Sequence, residues 1–130
     1  MNELGFESRI NLPYDQALEK VTAALKTEGF GVLTTIDVKE TMKKKLDVDF
    51  RKYTIFGACN PPLAFKALSA RPDVGLLLPC NVIIYEDGSE TVVNIIDPLS
   101  MLQMIQDPVL EQVADEARSR LKRVQAALQA

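Results

Sequence analysis

The spacing of apolar residues changes several times along the chain, and each change marks a predicted element. Residues 6–12 alternate in part between apolar and polar, which is typical of a half-buried strand. Pro13 then starts an amphipathic helix. Its apolar positions are Ala17, Leu18, Val21, Ala24 and Leu25. A second strand is predicted over residues 30–36, and Asp37 with Glu40 three residues later forms a capping box that starts a second helix.

The middle of the chain continues this alternation of strands and helices. The second helix is short, and we expect its apolar residues Val38, Met42 and Leu46 to face inward. Residues 53–59 are almost all apolar or β-favouring, so they are predicted to form a short buried strand. A third helix should follow directly, because Asn60 is a strong N-cap and Pro61 fits the first helical position.

Two apolar runs, residues 74–78 and 82–85, lie on either side of Pro79. Proline cannot donate to a central ladder, so Pro79 should mark a bulge or the junction of two strand segments within 74–85. The Asp87-Gly88 pair lies between two apolar runs and predicts a hairpin. Its returning strand should cover residues 91–96.

Asp97-Pro98 and Asp107-Pro108 each have the form of a helix start. The last helix is apolar at Leu110, Ala114, Ala117, Leu121, Val124 and Leu128. We expect it to lie on the sheet; the alternative is that its distal end packs on a second subunit. The hairpin and the proline-broken strand favour an α+β fold with an antiparallel or mixed sheet, and the length predicts one domain over residues 1–130.

Composition narrows the classes of function. The net charge of −3 argues against an electrostatic nucleic-acid binder. No apolar run approaches the length of about 18 residues needed for a membrane span. The first residues carry neither a basic region nor an apolar segment, so a cytoplasmic location with reduced cysteines is expected.

The chain contains no histidine, which removes His-based nucleophilic catalysis and His-ligated zinc within one chain. Its two cysteines alone cannot complete a structural zinc site, and no cofactor or metal is expected. A carboxylate hydrolase would have to use Asp47, Asp49 and Asp97. Asp97 is better explained as a helix cap, so a binding module is favoured over an enzyme.

The candidate site lies at two corners of the chain, Cys59-Asn60-Pro61 and Cys80-Asn81. Cys59 precedes a predicted helix, whose positive end lowers the pKa of a nearby thiol. Asn60 and Asn81 would orient the two thiols. The simpler interpretation is that the cysteines are small buried hydrophobic residues.

Five blocks of the chain form a distinctive set: Gly29-Phe30-Gly31-Val32-Leu33, Leu46-Asp47-Val48-Asp49-Phe50, Gly57-Ala58-Cys59-Asn60-Pro61, Gly75-Leu76-Leu77-Leu78-Pro79-Cys80-Asn81-Val82 and Asp97-Pro98. With these blocks, the chain resembles the family known as domain of unknown function 302. The resemblance implies a small α+β domain similar to the TATA-binding-protein-like fold, with helices on one face of an antiparallel sheet. It implies no established biochemical function.

Two functions remain as hypotheses. The first is a homodimeric module that binds a small ligand or partner through the sheet or the region of Cys59 and Cys80. The second is thiol chemistry, in which the two cysteines form a reversible disulfide, hold a soft metal ion or carry sulfur. The second requires a lowered thiol pKa and closely spaced cysteines. The basic cluster of residues 39–52 is expected to be a solvated face, with an anion site as the alternative.

Overall fold

The computed structural model describes residues 4–102 and 105–129, and its five strands form one antiparallel sheet in the order β1-β5-β4-β3-β2. The strands are β1 Gly5–Ile10, β2 Gly31–Asp37, β3 Tyr53–Cys59, β4 Cys80–Asp87 and β5 Glu90–Ile96. The helices are α1 Tyr14–Thr27, α2 Val38–Leu46, α3 Pro61–Ala70, α4 Pro98–Leu102 and α5 Pro108–Gln129, with a 3₁₀ helix over Pro72–Leu77. The predicted α+β class with an antiparallel sheet is confirmed.

Helices α1 and α5 pack on the same face of the sheet and enclose the main core. Alternate residues of the strands point towards these helices, including Phe6, Val82, Ile84, Val93 and Ile95. The distal end of α5 belongs to this core, because Val124 and Leu128 are buried within the chain itself. The alternative that this end packs on a second subunit is therefore wrong.

The predicted helix starts are confirmed at the level of single hydrogen bonds. The Asp37 carboxylate accepts from the Glu40 backbone N–H at 3.0 Å, and the Asn60 side-chain carbonyl accepts from the Leu63 N–H at 3.3 Å. The Asp107 carboxylate accepts from the Val109 N–H at 2.8 Å. Each cap satisfies a backbone donor that the first helical turn leaves unpaired. These caps fix where α2, α3 and α5 begin.

The strand predicted for residues 74–78 is wrong. Residues 74–77 lie in the 3₁₀ helix, Leu78 follows it in an extended conformation, and β4 begins only at Cys80. Pro72 fits the first turn of this helix, and Arg71 forms an ion pair with Asp73 at 2.7 Å beside it. A short apolar run does not reveal by its spacing whether it is a strand or a buried helical turn.

A second, smaller cluster of buried side chains lies among α3, the 3₁₀ helix, α4 and the first half of α5. Its buried members are Ala67, Val74, Leu102, Leu110, Val113 and Ala114. Leu63 of α3 packs against both this cluster and the main core. The second cluster therefore adjoins the end of the sheet where β3 stops and β4 starts.

The inward-facing side predicted for α2 is confirmed only in part. Val38 and Met42 are half-buried, but no residue of α2 is fully buried and Leu46 is 65% exposed. The same holds for the neighbouring edge strand β2, which has no buried residue. We call residues 31–50 the β2–α2 arm. Because Lys43 pairs with Asp47 and Lys44 with Glu40 on its surface, the basic cluster is a solvated face of ion pairs.

Candidate functional site

A cavity of about 320 Å³ lies where the end of the sheet meets the second cluster. The sheet contributes Ala58 and Cys80 to its wall. The helices contribute Leu63, Ala64, Ala67, Val74, Leu102 and Val113. The cavity is thus an open cleft lined by elements from both hydrophobic clusters, and most of its wall is made of aliphatic side chains.

A close approach of three chain segments shapes the rim of this cavity. Thr34 of β2 and Pro79 pack over Gly57 in β3, and both line the cavity. A Cβ atom added to Gly57 would overlap the Thr34 hydroxyl and come within 2.8 Å of Pro79 Cγ. Glycine at position 57 therefore lets β2 and the start of β4 meet at this point.

Asn60, a buried polar residue in the cavity wall, has its own hydrogen-bond partners. Asn60 is buried, and its carbonyl oxygen caps α3 while its amide nitrogen donates to the Glu28 carbonyl oxygen at 3.4 Å. Among the described residues, every buried side-chain nitrogen and oxygen atom has a hydrogen-bond partner. The side chain of Asn60 therefore stabilises the corner between β3 and α3. Its hydrogen bonds are made with backbone groups, so they do not orient the thiols as expected.

Burial raises the pKa of both thiols. The pKa of Cys80 rises to about 11, first because the thiol is desolvated and second because a Cys59 thiolate would repel it. The pKa of Cys59 is also raised by burial. The lowered thiol pKa predicted from the start of α3 is therefore wrong: desolvation outweighs the field of the helix end, and both cysteines are thiols near neutral pH.

The sheet register also separates the two cysteines. Cys80 pairs with Ala58, whereas Cys59 pairs with Gly31 on the other side of β3. Successive residues of a strand point to opposite faces, so Cys59 and Cys80 are directed to different faces of the sheet. Both are free cysteines. This arrangement gives no support to a disulfide or a shared soft-metal site.

The structure brings only part of the predicted site together. Cys59, Asn60 and Cys80 line the cavity, whereas Pro61 and Asn81 are exposed and lie outside its wall. Sequence analysis missed the residues that α3, the 3₁₀ helix, α4 and α5 contribute. These residues are ordinary apolar positions of helices, and their only signal is helical spacing, which any core residue shares.

The described residues were also searched for a metal-binding cluster and for a membrane-spanning helix. Within residues 4–102 and 105–129, no three Cys, Asp or Glu residues are grouped so that they could hold a metal ion. In the same part of the chain, we found no helix with the length and apolar character needed to cross a membrane.

Comparison with known proteins shows which family and which solved structure this chain is similar to. The family model for the domain of unknown function DUF302 matches residues 6–128. A search of curated proteins gave no match. Among solved structures, the chain is similar to an uncharacterised conserved DUF302 protein from Bacillus stearothermophilus, with a TM-score of 0.84 and 29% sequence identity. The alignment covers 97% of this chain and 96% of the other chain.

Proposed function

The chain belongs to the DUF302 family, a domain of unknown function, and we propose that it is a small-molecule-binding module whose ligand occupies the cavity beside Cys80. The observation that carries this proposal is the almost wholly apolar wall of the cavity, which is built from residues of both hydrophobic clusters. Ligand pockets are concave and are lined mainly by hydrophobic side chains with a few polar groups. The volume of about 320 Å³ lies at the lower end of the range of roughly 300–1,000 Å³ found for such pockets.

The chemistry of the wall favours a neutral, apolar ligand. None of the residues that line the cavity is charged. A charged ligand would lose its hydration on entry without gaining an ion pair, which costs several kcal/mol. An aromatic or branched aliphatic compound would lose no such interactions and would contact Leu63, Val74 and Leu102.

The proposal involves binding and no reaction. The wall contributes no carboxylate or amine that could act as a general acid or base, and its two thiols are protonated near neutral pH. Thiol chemistry therefore has no observation in its favour. The cytoplasmic location stays part of the proposal, because both cysteines are free thiols, as a reducing compartment would keep them.

Ala64→Leu tests the cavity directly. Ala64 lies on α3 in the cavity wall, so a leucine there would fill space that the ligand needs. We expect this variant to bind the neutral fluorescent probe N-phenyl-1-naphthylamine at least about tenfold more weakly than the original protein, which corresponds to about 1.4 kcal/mol. Binding would be measured as the saturable rise in probe fluorescence.

Ala70→Leu is the matched control. Ala70 ends the same helix but is exposed and lies outside the cavity wall, so this variant should keep the original affinity. Thermal unfolding of both variants would show that each is folded, and filling a cavity should not lower the melting temperature of Ala64→Leu. Equal loss of binding in the two variants, or no loss in either, would contradict the proposed site.

A further inference from the structure

Strand β2 leaves one side of the sheet open. It pairs with β3 only, so the backbone N–H and C=O groups along its other side face away from the sheet. Its first six residues, 31–36, contain no charged residue and no proline. Edge strands of monomeric proteins are usually protected by such residues, by bulges or by a covering element, and of these devices β2 has a bulge between Val32 and Thr34. The large side chains of Leu33 and Ile36 are nevertheless 66% and 47% exposed.

Helix α2 lacks the packing that usually stabilises a helix of its length. It has nine residues and none of them is buried. Isolated helices shorter than roughly 12–15 residues are marginal in water, and most helices in proteins depend on a buried apolar face. The Asp37 cap and the left-handed Asp47 at its other end stabilise only its ends. Leu46, Val48 and Phe50 of the same arm are also exposed.

We propose that the β2–α2 arm is the interface between two copies of this chain, with β2 of one copy pairing antiparallel to β2 of the other. The free edge of a strand is self-complementary under a two-fold axis, because each copy offers the donors and acceptors that the other requires. Such pairing would extend the sheet across the dimer. It would also bring the exposed apolar residues of the two arms next to each other.

The charges of the arm favour a second copy over a charged partner. Residues 31–50 contain four lysines and four acidic residues, so the arm is neutral overall. Lys43 pairs with Asp47 and Lys44 with Glu40 within the chain. Two neutral arms do not repel each other, and a neutral arm provides no net field to attract nucleic acid or an acidic peptide.

The exposed apolar surface of the arm is sufficient for a stable dimer. Five side chains contribute to it: Leu33, Ile36, Leu46, Val48 and Phe50. Since fully burying such a side chain removes roughly 100–200 Å² from water, these half-exposed groups supply roughly 450 Å² per copy, or roughly 900 Å² per pair. Interfaces are about 57% apolar, so this implies a total near the standard size of about 1,600 Å².

The inference goes beyond the proposed ligand binding, and the two surfaces share Leu33 and Thr34, which belong to the arm and also line the cavity. The test compares the original protein with Ile36→Lys and Leu46→Lys, which place a charge on the edge strand and on α2. Leu76→Lys is the matched control, because Leu76 is 88% exposed in the 3₁₀ helix and lies outside the arm. Light scattering after size exclusion would give the mass in solution over a range of concentrations, and circular dichroism would show that each variant is folded.

At about 100 μM, the original protein and Leu76→Lys should have twice the chain mass of 14.4 kDa. The two arm variants should have dissociation constants raised at least about tenfold. Backbone amides of residues 31–37 should exchange hydrogen slowly in the dimer and faster after dilution to monomer. A monomeric original protein, an unchanged dimer in both arm variants, or amide exchange in residues 31–37 that does not depend on concentration would overturn the proposal.

Discussion

Replacing Leu121 with alanine should lower the free energy of unfolding by about 3–5 kcal/mol, because the substitution removes buried methyl groups and leaves a void in the main core. Leu121 is fully buried at the middle of α5, where this helix packs on the sheet. Urea denaturation would measure the change as a lower midpoint with an unchanged m value.

The matched control for this substitution is Leu76→Ala. Leu76 is exposed, so its replacement should change the free energy of unfolding by no more than about 0.5 kcal/mol. If the two substitutions had the same effect, Leu121 would not lie in the core, and the packing of α5 on the sheet would be contradicted.

Cys80 should be alkylated by iodoacetamide about 100-fold more slowly in the native protein than in the unfolded chain at pH 8. Burial raises the pKa of its thiol from 9.0 to about 11, which lowers the thiolate fraction by that factor, and only the thiolate reacts. Peptide mass spectrometry would measure each cysteine separately, with the denatured protein as the reference. Cys59 should react faster than Cys80 in the native protein, because it is less buried.

The same pKa shift makes stability depend on alkaline pH. Since the pKa of Cys80 is higher in the folded state, its contribution is fully present below about pH 9 and is lost as the pH rises through about 11. The two-unit shift corresponds to about 2–3 kcal/mol in the free energy of unfolding. The Cys80→Ala variant has no thiol to ionise at this position, so its stability should not fall by this amount over the same pH range. Native alkylation as fast as in the denatured chain, or equal alkaline destabilisation of both proteins, would show that Cys80 is not buried as described.

Much of the fold was predictable because its signals are local. Asp37, Asn60 and Asp107 mark helix starts through one side-chain acceptor each, and the structure confirms all three. The Asp87-Gly88 pair predicted the hairpin between β4 and β5, and Gly88 adopts a positive φ of 63° in its turn. Such signals act within a few residues, so one sequence is enough to interpret them.

The incorrect predictions concern segments whose structure depends on residues that are far away in the sequence. The apolar run of residues 74–78 was predicted to be a strand, but it packs against α3 through Val74, and residues 74–77 lie in a 3₁₀ helix. The apolar side of α2 was expected to face inward, but α2 follows an edge strand, none of its residues belongs to either hydrophobic cluster, and Leu46 is exposed. In both cases the apolar pattern was real, and the neighbour on which the side chains would pack was not visible in the sequence.

The candidate site was predictable only in part for the same reason. Cys59 and Cys80 mark the corners of β3 and β4, so their neighbourhood was identified from the chain alone. Their environment was misjudged, because the pKa of a thiol depends on how deeply it is buried by α3 and α5. The cavity itself is a gap between two packed clusters, and a gap has no signature in the sequence.

The most direct test of the ligand proposal is to map the binding of a neutral aromatic probe, 2-naphthol, onto the backbone amides by ¹⁵N NMR. The proposal predicts saturable shifts that cluster at the cavity wall, at Leu63, Ala67, Val74, Cys80 and Leu102. A saturable response confined to α2, or shifts that rise without saturation over the whole surface, would contradict it. Either of those results would remove the cavity as the site of function.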